Sequence, residues 1–337
     1  ILGILFGALL FSFFQSFRIL FYPAEIQNIS VAKGRSSNVD FIRGISMVGI
    51  VVIHLDSYFR YYHPDDFYVK VTLFLSNASR FCVPAFIISS AFFLNYISTK
   101  DYWVSKWKNL VIPYLVIGTI AYISKYPVGS KDFIFDYVFK LATGTIMAPY
   151  YFVPLLIQCY FLYAVFLRRV EKSKTSITLL LIFSLMVNAV ANADLFSSQN
   201  IYWNAFSPAF FTNFIFFFLV GFTSKNLFLN SELFSEFVSM KKFFLYTLAF
   251  CLFAYLGFVG YLTLNGFPEI SNHFLFYPLG MFVLLFAVGL YLENSQLKIF
   301  RKLHFAISFI GKNSLSIFLI HPILIHFSFG NDPYLFG

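Results

Sequence analysis

In the stretch Asp40-Phe-Ile-Arg43-Gly-Ile-Ser-Met-Val-Gly-Ile-Val-Val-Ile-His54, an arginine and a histidine stand eleven residues apart in an apolar run. At 100° per residue, eleven steps return to within about 20° of the start, so a helix puts both side chains on one face. Helix rise separates them by roughly 16 Å. In a hydrocarbon core about 30 Å thick, one then lies near a membrane surface and the other near the middle. An ionisable group at such depth costs on the order of 2.5–3.5 kcal/mol by insertion scales, and usually faces the protein interior with a function there. The alternative is an interfacial arginine anchor plus a histidine bonded to a neighbouring helix.

The composition supports a bilayer setting. Of 337 residues, 59% are hydrophobic and 12% charged, and mean hydropathy is +0.75. A soluble domain carries roughly 25% charged residues, so this reads as an all-α polytopic integral membrane protein. The 50 Phe and 22 Tyr supply lipid-facing bulk and interfacial belts. Windows of about 19 residues give about ten transmembrane helices. They fall near 1–21, 41–60, 71–97, 108–124, 149–167, 176–192, 208–223, 243–264, 273–292 and 308–328. The mixed stretch 126–148 is expected to lie along the interface. The chain opens on Ile1 rather than Met, which suggests a fragment or a processed product.

Charge distribution orients the spans. Lys and Arg in one alternate set of connections number 16, against 5 in the opposite set. The rich set includes Lys106, Lys108 and Lys312, and it belongs in the cytoplasm. Arg43 is then at the cytoplasmic mouth of its helix, with His54 deeper. Arg18, Arg43 and Arg80 fall inside spans. Basic residues scattered over short loops make no nucleic-acid patch. Cys82, Cys159 and Cys251 sit in apolar spans without CxxC spacing and read as small hydrophobes, not as a disulfide or zinc framework. His63-Pro64-Asp65-Asp66 is first a turn, so no metal is expected.

Several pieces together resemble the membrane-bound acyltransferase family 3, integral O-acyltransferases of glycans and lipids. They are Asp40-x-x-Arg43-Gly44, the Arg-x10-His pair itself, and Val83-Pro84-Ala85-Phe86-Ile87-Ile88-Ser89-Ser90. Lys106-x-Lys108 with Pro113-Tyr114 comes next, then Tyr150-Tyr151-Phe152-Val153-Pro154, and last Gly311-Lys312-Asn313-Ser314 leading to His321-Pro322. The resemblance implies an acyltransferase-3-like transmembrane domain over 38–328, preceded by an extra transmembrane helix at 1–22. Two departures stand out: Ser90-Ala91 replaces the usual Ser-Gly, and lysines 106 and 108 replace paired arginines, giving charge without a bidentate fork.

Acyl transfer to a hydroxyl needs an activated carbonyl, a base and oxyanion stabilisation. His54 is the candidate catalytic residue, as base or as transient acyl carrier. The resemblance implies cytoplasmic acyl-CoA, acetyl-CoA above all, as co-substrate. Arg43 would grip its phosphates with a planar fork, and Lys106 and Lys108 would add point charges. Ser89, Ser90, Asn313, Ser314 and His321 are candidate substrate or supporting residues. Gly44 and Gly49 would admit either a pantetheine arm or another helix backbone. The expected activity is transfer of the acyl group to a hydroxyl of a surface or lipid-linked glycan, by a multi-pass protein of the cytoplasmic membrane. A polysaccharide exporter or flippase is the rival reading; it wants a wide polar path, yet after residue 243 polar groups are scarce until Asn313, His321 and His326.

Overall fold

A computed structural model describes residues 36–62, 67–92, 94, 99–126, 133–167, 174–191, 207–229, 242–264 and 276–329. The expected helix at 1–22 and the His63–Asp66 turn lie outside the described residues. Helices dominate, and no strand occurs among the described residues. In chain order they are α1 (Ser37–Tyr62), α2 (Phe67–Ala78), α3 (Cys82–Phe92), α4 (Thr99–Lys106) and α5 (Ile112–Lys125). Next come α6 (Phe133–Thr143), α7 (Phe152–Leu162), α8 (Lys174–Ala191), α9 (Ile215–Leu229) and α10 (Lys242–Leu264). Last are α11 (Phe276–Glu293), α12 (Lys298–Lys312) and α13 (Ser314–Phe329).

Three continuous helical stretches among the described residues are long and apolar enough to cross a membrane: Ser37–Tyr62, Tyr68–Phe92 and Ala148–Leu167. The first two match the expected spans at 41–60 and 71–97, and the third matches 149–167. The helices α8, α10 and α11 are apolar too, at 18, 23 and 18 residues. Among the described residues three helical stretches meet both criteria, or four with a bent pair, so the expected count of ten is not confirmed by them. That pair departs most from the sequence reading. The span expected at 308–328 is divided at Asn313, where α12 and α13 meet at 74°. Asn313 ends α12 by donating its side-chain amide to the Phe309 carbonyl at 2.9 Å. An apolar tally runs straight through such a break, because Phe309 and Ile310 stand before it and Leu315 and Ile317 after it.

What bends the chain there is the seating of α12 on α1. A Cβ added to Gly311 would overlap the Asp40 carbonyl oxygen, and one on Gly44 would overlap the Ile307 carbonyl oxygen. Only glycine on each side allows this approach of backbones. Two hydrogen bonds flank it: Ser308 Oγ to the Ser37 carbonyl at 3.2 Å, and His304 Nε2 with Asn38 Oδ1 at 3.2 Å. The Asn38 amide donates on to Glu293 at 2.9 Å, tying in α11. Gly44 thus belongs to helix packing, and so does Gly49, where a Cβ would overlap Cys82 Sγ. Elsewhere Gly221 of α9 presses on the Ile88 carbonyl and Ala91, so the glycine missing after Ser90 is met by one on the facing helix.

The amphipathic character expected for 126–148 appears in α6. Ile134, Phe135 and Val138 are exposed, while Asp136 accepts from Lys140 at 2.9 Å and from the Tyr122 hydroxyl at 2.8 Å. Cys82 and Cys159 are buried, whereas Cys251 is exposed on α10.

Candidate active site

Arg43 and His54 both project from α1, half-buried, at the end of about its second turn and of about its fifth. The Arg43 guanidinium carbon lies 5.7 Å from the centre of the Phe86 ring of α3. His54 lies against His321 of α13, with ring centres 5.4 Å apart and planes tilted by 36°. The structure thus brings together two histidines that are remote along the chain. A row of rings joins the two ends of the site. Phe86 meets Phe152 at 6.0 Å, Phe152 meets Phe318 at 5.4 Å, and Phe318 meets His321 at 5.9 Å. Arginine stands at one end of this aromatic wall and the histidine pair at the other.

The elements around the wall hold it in place. Tyr150, entering α7, donates its hydroxyl to the Leu319 carbonyl of α13, fixing that helix beside α7. Tyr114 packs edge-on against Tyr150 and donates to the Leu141 carbonyl at 2.6 Å. The Pro113-Tyr114 and Tyr150–Pro154 pieces therefore brace α13.

The remaining candidates divide by what their polar atoms touch. Ser89 and Ser90 are buried, and each donates to its own helix, to the Ala85 and Phe86 carbonyls at 2.7 Å. Such back-bonding is the usual state of serine in an apolar helix. The Lys106 ammonium sits 3.9 Å from the Tyr160 ring centre and 5.4 Å from that of Tyr102, a cation–π seat at the end of α4. Lys108 is exposed on the next turn of the chain. Asn313 is a helix cap. Ser314, seven residues before His321 and so on the same face of α13, is fully buried; its hydroxyl has no hydrogen-bond partner among the described residues. Asp56, two residues past His54, is buried and ion-paired with Arg60 at 3.0 Å. No group of three or more His, Cys, Asp or Glu is placed to hold a metal ion among the described residues.

Sequence reasoning missed one residue. Arg80, on the turn Ser79–Phe81 between α2 and α3, is near enough to His54 to act on it electrostatically. The signal was present: an arginine within an otherwise apolar span is a functional candidate by default.

A protein all-helical over its described residues, with membrane-length apolar helices and with Arg43 and His54 on one helix whose histidine meets His321, has the makings of a membrane enzyme for group transfer. The chain belongs to the acyltransferase 3 family, whose model, described as an acyltransferase domain, matches residues 36–335. It is an acyltransferase of the membrane-bound, O-acyltransferase-like kind. No curated protein and no solved structure matches the chain.

Proposed function

We propose that this protein moves an acyl group, acetyl in the first instance, from cytoplasmic acyl-CoA to a hydroxyl of a surface or lipid-linked glycan at the cytoplasmic membrane. The observation that carries the proposal is the placement of His54 beside His321, with Arg43 on the same helix at the other end of the Phe86–Phe152–Phe318 wall. Arg43 offers the planar fork that binds phosphate, and the wall offers an apolar track for a thin acyl-bearing arm. His54, at the far end, would meet the thioester as base or transient acyl carrier. Arg80, which acts electrostatically on His54, would add positive charge for the negative charge that develops on the acyl oxygen. Lys108, exposed beyond the Lys106 seat, adds a point charge for the donor at the cytoplasmic face. Ser314 has a buried hydroxyl to offer the substrate, while Ser89 and Ser90 shape the helix. The experiment is incubation of the purified protein with labelled acyl-CoA and a panel of glycan acceptors. Acceptor-dependent release of CoA with label on the glycan is expected; release of CoA without label on any acceptor would contradict the reading.

A further inference from the structure

His321 precedes Pro322 inside α13, and that neighbour changes the hydrogen bonding around its ring. A helical N–H donates to the carbonyl four residues back, but proline has no N–H, so Pro322 leaves the Phe318 carbonyl free. The His321 ring bonds to the neighbouring carbonyl, one residue earlier in the helix. Its Nδ1 is 3.1 Å from the Ile317 carbonyl oxygen. Carbonyl oxygens only accept, so Nδ1 carries the hydrogen, and in the neutral ring Nε2 is then a bare lone pair. Nε2 is buried and has no hydrogen-bond partner among the described residues, in a side chain only 6% exposed. A buried acceptor without a donor is unusual enough in native proteins to call for an explanation. It lies next to His54, in the site already described.

We infer that His321 is the general base of the reaction, its Nε2 receiving the proton of the acceptor hydroxyl. This rests on the acyl-transfer reading above and divides the work between the two histidines. In the transfer step the acceptor oxygen bonds to the acyl carbon while its proton passes to Nε2. The carbon–sulfur bond of the thioester breaks, and the thiolate recovers that proton from Nε2 to leave as the CoA thiol. The carbonyl of Ile317, already on Nδ1–H, stabilises the imidazolium that exists in between, as an orienting acceptor does for any catalytic histidine. His54 is left to polarise the acyl carbonyl.

The test uses the full-length protein with labelled acyl-CoA and an acceptor on which the wild type turns over. In His321→Asn the amide nitrogen copies Nδ1–H toward the Ile317 carbonyl, but nothing replaces the Nε2 lone pair. The turnover number is expected to fall by about 10²–10⁴-fold, with CoA competition binding and thermal stability close to wild type. Pro322→Ala is the second variant, and loss of a mid-helix proline favours folding. It supplies an N–H for the Phe318 carbonyl, closing the helix beneath the ring and shifting the Ile317 anchor, and should lower kcat on the order of 10-fold with KM for the donor unchanged. His321→Asn active within about threefold of wild type, or Pro322→Ala with unaltered kcat, overturns the assignment. A wild type that transfers no acyl group refutes the underlying reading instead.

Discussion

Replacing Gly311 by alanine should unseat α12 from α1. The added Cβ would lie 2.6 Å from the Asp40 carbonyl carbon and 2.8 Å from the Gly44 nitrogen, besides overlapping the Asp40 oxygen. Both obstacles are backbone, so no side chain can swing aside. Restoring ordinary contact of 3.4 Å to the carbonyl carbon requires a separation of at least about 0.8 Å. The hydrogen bonds Ser308–Ser37 and His304–Asn38, each 3.2 Å, would stretch past useful length. Overpacking costs about 1–3 kcal/mol and each lost bond about 0.5–1.5 kcal/mol, for a total of about 2–6 kcal/mol. Against a typical stability of about 5–15 kcal/mol, that is a large fraction. Thermal unfolding of the detergent-solubilised protein, tracked by the loss of its monodisperse peak, should shift down on the order of 3–8 °C. Gly257→Ala is the matched control, since a Cβ there meets nothing within 4 Å. It should be neutral or stabilising by about 0.5–1 kcal/mol, as alanine suits a helix better than glycine. Equal melting temperatures for the two variants would refute the close-crossing argument.

Arg43→Lys keeps the charge but loses the fork, so CoA competition binding should weaken on the order of 10-fold; unchanged affinity would reduce Arg43 to a membrane anchor. Ser90→Ala should leave transfer within about threefold of wild type, because its hydroxyl is committed to the Phe86 carbonyl. A drop beyond about 10-fold in kcat would show that Ser90 leaves its own helix to meet substrate.

The site was legible where its parts share one helix. Arg43 and His54 declare themselves by an eleven-residue spacing on one face, and the spans at 41–60, 71–97 and 149–167 emerge from apolar length alone. What remained hidden depends on pairing between distant segments. Nothing local in either sequence says that His321 lies on His54 or that Phe86, Phe152 and Phe318 form one wall, since each is simply an apolar or polar position within its own helix. The division at Asn313 was hidden for a related reason. Gly311 meets Gly44 there, a contact between segments far apart in the sequence, whereas hydropathy sees only an unbroken apolar run. The serines at 89 and 90 show the converse: their types invite a role, and their geometry commits both hydroxyls to helix carbonyls.

The central claim is that His54 does chemistry rather than packing, and His54→Ala tests it most directly. Label transferred from acyl-CoA to the acceptor should be measured alongside CoA binding in the same preparation. Transfer should fall at least about 10²-fold, whether the ring takes a proton or polarises the acyl carbonyl. Arg43, roughly 16 Å away by helix rise, should still hold the donor, so CoA affinity stays near wild type. Transfer within a few-fold of wild type by a well-folded His54→Ala protein would contradict the account.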